Sequence, residues 1–479
     1  MRRTKIVATL GPATDSDKAL EKLVRAGVDV IRVNFSHGDP DSHRQRVRRL
    51  REIADRVGRC VGVLGDLQGP KIRIARFRDV KVELNEGDTF ALDAGLAPDA
   101  GDQTQVGLTY TDLPGDVQAG DVLLLDDGRL VLKVDSVEGL RIETTVVVGG
   151  TLSDNKGINR QGGGLSAPAI TEKDRDDIRL AAELEVDFLA VSFPRSAQDI
   201  HLARTLLREA GGDAAICAKI ERAEALELID EIISASDVIM IARGDLGVEI
   251  GDAELPAVQK NLITRARKLN RVVITATQMM ESMIQNQIPT RAEVFDVANA
   301  VLDGTDAVML SGETATGRYP DKVVDSMSRI CEAAERQRAA RQSTHRMDSY
   351  FGRVDEAIAM AAMYTANHLD VAAIAALTES GSTPLWMSRI SSGIPIFALT
   401  QHHKTSRRLT LYRGVYPVRL PTVPDTHAET NREAIRLLLD KGVVKEGELV
   451  IITKGDLNGV QGGTNAMKIV RVGETVPLN

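Results

Sequence analysis

Ala214-Ala215-Ile216-Cys217-Ala218-Lys219-Ile220-Glu221 and Val238-Ile239-Met240-Ile241-Ala242-Arg243-Gly244-Asp245 share one design, a short apolar run closed by charged residues. Runs of this length, bounded by polar residues and separated by helical patterns, read as buried parallel strands. Side chains two apart on a strand share a face, so Lys219 and Glu221 point the same way. Two carboxylates, Glu221 and Asp245, with an ammonium at neighbouring strand ends suit a divalent cation plus a fixed positive charge. That is equipment for a phosphate or an enolate. Either carboxylate alone reads equally well as a solvated strand end; the pairing separates the two readings.

The same alternation extends outward from these runs. Before them, strands are expected at 5–10, 28–33 and 61–66, with helices near 15–26 and 40–57. After Gly162-Gly163-Gly164 they are expected at 188–191, 215–220, 238–242, 271–276 and 307–310. Three strands and then five, each followed by a helical pattern, fit a (β/α)8 TIM barrel, with a doubly wound sheet as the competitor. Between Pro70 and Ala167 the texture changes to short alternating runs at 80–84, 122–125, 130–134 and 140–148, punctuated by Glu86-Gly87-Asp88, Ala119-Gly120-Asp121 and Asp127-Gly128. That reads as an inserted small β domain. Past Met347 a further α/β segment has strands near 372–377, 396–399 and 449–452, reached through a charged connecting helix at 332–346. The expected organisation is barrel 1–69, inserted β-barrel lid 70–167, barrel 168–345 and C-terminal α/β effector domain 346–479.

Composition narrows the function classes. A chain of 479 residues has room for two or three domains, and its formal net charge of −8 offers no general attraction for nucleic acid. Aromatics make up only 3%, and no basic stripe is interleaved with them, so a base-stacking surface is not expected. Cys60, Cys217 and Cys331 lack metal-ligand spacing and suit reduced thiols in a cytoplasmic protein. Met1–Thr4 runs straight into the first strand without a signal-peptide h-region, and no apolar run is long enough to span a bilayer.

In a barrel of this kind reactive groups sit at strand C-termini. Those positions read Thr9-Leu10-Gly11-Pro12, Arg32-Val33-Asn34-Phe35-Ser36-His37-Gly38, Gly65-Asp66-Leu67-Gln68-Gly69-Pro70-Lys71-Ile72-Arg73, Thr275-Ala276-Thr277-Gln278-Met279 and Met309-Leu310-Ser311-Gly312-Glu313-Thr314. Arg32, Arg73 and Lys219 concentrate the positive charge that a small polyanion needs. Gly244-Asp245-Leu246-Gly247 reads as a glycine-flanked turn into a helix, able to hold a carboxylate or phosphate on backbone N–H groups.

Together these segments resemble the pyruvate kinases over essentially the whole chain: KIVATLGPAT, RVNFSHG, GDLQGPKIR, AKIER, MIARGDLGVEI, TATQMMESM, PTRAEVFDVANAVLDGTDAVMLSGETATG and TESGSTP. The resemblance implies phosphoryl transfer from phosphoenolpyruvate to ADP, giving pyruvate and ATP. It implies Mg2+ (or Mn2+) on Glu221 and Asp245, Lys219 on the phosphoryl group in flight, and Arg32 on the substrate phosphate. Gly244, Asp245 and Thr277 would hold the substrate carboxylate. Thr277 would also lie near C3 of the enolate, with Ser311 and Glu313 in a proton relay. Pro12, Asn34, His37, Arg73, Lys156 and the lid's Asp127 would line the nucleotide side.

Two further expectations follow from the resemblance. Asn34, Ser36, Asp66 and the Leu67 carbonyl match the family's K+ pocket, but Lys71 stands where potassium-requiring members carry Glu, so K+ is expected not to be required. A lysine ammonium there delivers the unit charge that the ion would supply. Thr378, Ser380, Gly381, Ser382 and Thr383 resemble the family's activator loop, opposite Lys454–Gly459 and Gly462-Gly463-Thr464, ahead of a helix at 385–390. The arginine of some fructose-1,6-bisphosphate-activated members is missing there, leaving a phosphosugar or a nucleotide monophosphate as the effector. The family also implies a homotetramer. A metal-dependent pyruvate-enolate aldolase on the same barrel is the alternative, and a non-catalytic phosphosugar sensor is a third reading.

Overall fold

The computed structural model describes residues 1–337, 340, 350–422, 426–456 and 462–474. The apolar runs become strands β1 (Lys5–Thr9), β2 (Val30–Asn34), β3 (Gly62–Asp66), β4 (Phe188–Val191), β5 (Ala215–Ile220), β6 (Val238–Ala242), β7 (Val272–Ala276) and β8 (Ala307–Leu310). They form one closed barrel in chain order, β8 returning to β1, which removes the doubly wound alternative. Parallel registers such as Val7 opposite Met309 and Lys219 opposite Met240 keep the strand C-termini at one end. Buried on both faces, these strands carry continuous rather than alternating apolar residues, which is why the runs were visible.

Contacts divide the chain into two units. One comprises Met1–Gly65, Glu183–Leu189 and Ile263–Asn479; the other comprises Asp66–Ala182 and Ala190–Leu262.

Helix α1 (Pro40–Val57), in the first unit, is set by local rules. Asp39 caps it by accepting from the Ser42 N–H at 3.0 Å, Pro40 opens it, and Gly58 at φ +72° ends it. The C-terminal part of this unit is a five-stranded sheet in which β9 (Val371–Leu377), β10 (Ile396–Thr400), β11 (Val415–Arg419), β12 (Leu449–Gly455) and β13 (Thr464–Arg471) lie in the order β11-β10-β9-β12-β13. Alternate residues feed two cores: Ile374 and Ala376 pack on one face, Ala373 and Ala375 on the other. Sequence patterning misses β11 and β13. Pro417 interrupts β11, an edge strand where proline is tolerated, and β13 has little regular alternation in burial. Of the expected connecting helix at 332–346, residues 332–335 form the end of helix Pro320–Glu335; residues 338–339 and 341–349, with the expected domain boundary, lie outside the described residues.

In the second unit the 70–167 stretch is all β apart from one short helical turn. A two-stranded sheet pairs Lys81–Leu84 with Gly150–Ser153, and a six-stranded sheet contains the strands expected at 122–125, 130–134 and 140–148 plus shorter ones. Phe90, Leu92, Leu123, Leu132 and Ile142 form its own core. Among the described residues no helix is long and apolar enough to cross a membrane.

Within the first unit, a buried ion pair ties the N-terminal end of β8 to the C-terminal segment. The Arg389 guanidinium donates from Nη1 to Asp306 Oδ2 at 2.9 Å and from Nη2 to Oδ1, with both side chains 1% exposed. Removing one partner strands the other charge in a low-dielectric site. Arg389→Met is therefore expected to lower unfolding stability by about 3 kcal/mol, read from guanidinium melts; a loss under about 1 kcal/mol would contradict this assignment.

Candidate active site

Lys219 is the fifth residue of β5, and its ammonium is surrounded by groups from neighbouring strand ends. Nζ lies 2.9 Å from Glu221 Oε1 and 3.4 Å from Asp66 Oδ1, and donates to Ser192 Oγ at 2.7 Å. Ser192 in turn donates to the Leu67 carbonyl at 2.8 Å. Asp66, Ser192 and Glu221 are all buried. Glu221 Oε2 also accepts from the Phe193 N–H at 2.8 Å, which Phe193 presents from the left-handed region at φ +55°. A bulky residue adopts that conformation only when its surroundings impose it.

Asp245 completes the cluster from the first turn of helix α2 (Arg243–Ile250), which follows β6. Here the structure corrects the sequence reading: Gly244-Asp245-Leu246-Gly247 is no turn before a helix but already helical, and begins directly after the strand. Burial, with Asp245 and Asp66 nearby and Lys219 opposing, pushes Glu221 up to about 7. Burial also raises Asp245, with Lys219 opposing and Asp127 and Asp66 adding to the rise. Three carboxylates around one ammonium leave the cluster short of positive charge, the condition that a divalent cation relieves. No group of three or more His, Cys, Asp or Glu side chains among the described residues forms a metal cage. Two carboxylates with remaining positions for water and substrate oxygens are the usual provision for Mg2+.

Lys71 lies in the loop after β3, half-buried. Burial, with Arg73, Lys173 and Lys219 nearby, lowers it to about 8. In the inserted domain Asp126 and Asp127 both take left-handed conformations (φ +51° and +57°), and Asp126 Oδ1 holds Lys156 Nζ at 2.7 Å. The Arg73 N–H donates to Thr109 Oγ1 at 3.0 Å.

The first unit carries the other expected residues. Arg32 donates from Nη1 to Thr9 Oγ1 at 3.2 Å, and Thr9 Oγ1 donates to the Leu310 carbonyl at 2.9 Å, linking the ends of β1, β2 and β8. Asn34 Oδ1 accepts from the Ser36 N–H at 3.1 Å, His37 is exposed, and Pro12 opens a 3-10 turn after β1. Thr277 and Gln278, just past β7, are consecutive left-handed non-glycine residues at φ +66° and +54°. Glu313 bridges two loops by accepting from the Ser311 N–H at 2.7 Å and the Met280 N–H at 3.2 Å, and burial raises its pKa.

In the C-terminal segment the Gly381 N–H donates to Thr378 Oγ1 at 2.9 Å, and Ser380 and Ser382 share a hydroxyl contact at 2.8 Å. Thr383 Oγ1 meets Thr464 Oγ1 at 2.7 Å. These hydroxyls line a pocket with His427 and Lys454. The helix expected at 385–390 begins earlier, at Ser382, so Ser382 and Thr383 form its first turn after a left-handed Gly381. Leu457, Asn458 and Gly459 lie outside the described residues.

Sequence reasoning misses Ser192 and the Phe193 N–H. The strand-end rule that found the other residues also reaches them, because Ser192-Phe193 directly follows β4.

Fold and cluster define a barrel phosphotransferase that works with a divalent metal. The pyruvate kinase barrel domain matches residues 1–324, and the pyruvate kinase alpha/beta domain matches residues 356–470. The chain is 58% identical to pyruvate kinase II of Salmonella typhimurium over 476 residues, covering 98% of this chain and 99% of that protein. It is 57% identical to a pyruvate kinase of Haemophilus influenzae over 465 residues (96% and 97%), and 44% identical to one from Mycobacterium tuberculosis over 474 (99% of each). The chain belongs to the pyruvate kinase family. Its activity is transfer of the phosphoryl group of phosphoenolpyruvate to ADP with a divalent metal, and nothing supports the aldolase alternative.

Ser192→Ala removes the neutral acceptor of the Lys219 ammonium while leaving its ion pairs intact. A hydrogen bond to a charged group is worth about 1.5–3 kcal/mol, so kcat should fall about tenfold or more in a variant that still folds, with a lowered melting temperature because Ser192 Oγ also donates to the buried Leu67 carbonyl. Steady-state kinetics with wild-type values would show that Ser192 does not position Lys219.

Proposed function

We propose that the strand-end residues of both units serve this reaction in the roles their chemistry suits. The observation that carries the reading is the Lys219 ammonium held among Asp66, Glu221 and Ser192. Glu221 and Asp245 hold the divalent cation, Mg2+ or Mn2+, which when bound supplies positive charge to the substrate's oxygens. With those carboxylates engaged, Lys219 turns its charge to the phosphoryl group in flight, whose loose transition state spreads negative charge over its outer oxygens. Arg32 grips the phosphate of phosphoenolpyruvate. The first-turn N–H groups of Gly244 and Asp245, with Thr277, take the substrate carboxylate. Thr277 faces C3 of the enolate, and Ser311 with Glu313 relays a proton there through water; a carboxyl raised by burial suits that task. Pro12, Asn34, His37, Arg73 and Lys156 serve the nucleotide, and the 70–167 domain acts as a lid. Asp127, whose charge is felt by Asp245, closes from above.

Asn34, Ser36, Asp66 and the Leu67 carbonyl form the monovalent-cation pocket, and Lys71 supplies the charge that K+ would bring. The hydroxyl-lined pocket at Thr378, Ser380, Gly381, Ser382 and Thr383 takes a phosphosugar or a nucleotide monophosphate as allosteric activator. The active form is a cytoplasmic homotetramer.

Lys219→Met should lower kcat by at least about 10^2–10^3 in a lactate dehydrogenase-coupled assay; retained turnover would remove Lys219 from its role. In buffer free of K+ and Na+, added K+ should leave wild-type turnover unchanged at pH 7, while Lys71→Glu should be slow and K+-responsive. Because Lys71 is held down to about 8, it is mostly charged at pH 7 and mostly neutral by about pH 9. Activation by K+ should therefore emerge on the alkaline side. Strong K+ activation of the wild type at pH 7 would sink this reading. Ser382→Asp should abolish kinetic activation by a panel of phosphosugars and nucleotide monophosphates without altering unactivated turnover; a wild-type response would clear this loop of the effector role.

A further inference from the structure

A cavity of about 310 Å3 lies between the C-terminal end of α1, with the residues that follow it, and the C-terminal segment. Every residue assigned above to substrate lies in the C-terminal part of a barrel strand, follows that strand, or belongs to the lid. This cavity instead includes Cys60 and Val61, just ahead of β3, and shares no lining residue with the hydroxyl-lined pocket. Its volume falls at the small end of the range of about 300–1,000 Å3 usual for small-molecule sites.

The walls are strongly basic. Arg51, Arg59, His403, Arg407, Arg419 and Lys441 face a single carboxylate, Asp55. Arg407 is committed elsewhere, its Nε donating to the buried Asp187 Oδ1 at 2.7 Å. Arg59 donates from Nη1 to the Val24 carbonyl at 2.8 Å, and its ion pairing among the described residues is a long one, with Nη2 3.7 Å from Asp29 Oδ1. Arg51 uses Nη2 on the carbonyls of Leu184 and Glu185, at 2.8 and 2.9 Å, and pairs with no carboxylate among the described residues. Its Nε is buried with no hydrogen-bond partner. Burial, and after it the neighbouring Arg407, hold the Arg51 guanidinium below its usual range, with Asp187 and Glu185 opposing. Arg419 and Lys441 are exposed and form no ion pair with any described residue. Ala54, Val61 and Pro417 add apolar surface for a carbon skeleton.

We propose that this cavity binds a small polyanionic metabolite of the organic-phosphate class. Arg51 and Arg59 take its phosphoryl oxygens from the side of α1, and Arg419 and Lys441 take them from the C-terminal segment. Guanidinium forks suit phosphate oxygens, and the ligand supplies the negative charge that the walls lack. A molecule held from both walls links the segment bearing the hydroxyl-lined pocket to the barrel helix. This makes the cavity a second regulatory site.

The test uses inorganic pyrophosphate as probe, titrated calorimetrically in metal-free buffer into the full-length wild type, Lys219→Met, Ser382→Asp and the double variant Arg419→Glu/Lys441→Glu. One binding class should persist in Lys219→Met and in Ser382→Asp, and should weaken at least tenfold in the double variant. Both substituted residues of that variant are exposed, so it should fold, with an unchanged melting temperature and unchanged basal turnover. Identical isotherms in the wild type and the double variant, including no binding in either, would overturn the proposal. So would a class lost only in Lys219→Met or only in Ser382→Asp, because the anion would then belong to the active site or to the hydroxyl-lined pocket.

Discussion

One ammonium among three carboxylates is the constraint on which the catalytic end of the barrel depends. Lys219 is within ion-pair distance of Asp66 and Glu221, and Asp245 feels the same charge. A buried cluster with this imbalance is costly unless further positive charge arrives. The fold carries that cost by anchoring the members on rigid elements: Asp66 at the end of β3, Lys219 and Glu221 at the end of β5, and Asp245 in the helical turn directly after β6. The Phe193 N–H, presented from a strained backbone, and the Ser192 hydroxyl are the neutral contacts that hold Glu221 and Lys219 in place. An arrangement kept under electrostatic tension by rigid supports is preorganised for a reaction whose charge moves but whose catalyst should not.

The barrel was legible because its strands are short, continuous apolar runs with no polar face to confuse the pattern. Glu221 and Asp245 were legible because the residue ending such a run occupies a chemically privileged position. Ser192 was harder to find because a lone serine after a strand carries no charge and reads as a cap or a turn. Gly244 and Gly247 misled in the opposite direction: glycine pairs suggest a turn, yet here they allow a helix to start directly at the strand end. In the C-terminal segment β11 was hidden by Pro417, and the activator-loop helix began three residues early because Ser382 and Thr383 are ordinary first-turn residues as well as turn formers.

The basic cavity beside α1 was outside the reach of sequence reasoning for a different reason. Its arginines come from residues far apart in the chain, and each alone resembles an ordinary surface charge. Only their convergence, with Arg51 Nε left without an acceptor, distinguishes the place. Catalytic groups were traceable because strand ends announce them, whereas this cavity is assembled from helices, loops and the edge strand β11, whose joint position follows no comparable rule.

Pro417 has a consequence beyond concealing its strand. β11 forms one edge of the C-terminal sheet, and an uninterrupted edge offers a row of amides on which another chain can add a strand. A proline deletes one of those donors and keeps that border from acting as a template. The sheet is thereby closed to growth on that side, and copies of this chain that associate there must meet through side chains rather than through shared backbone pairing.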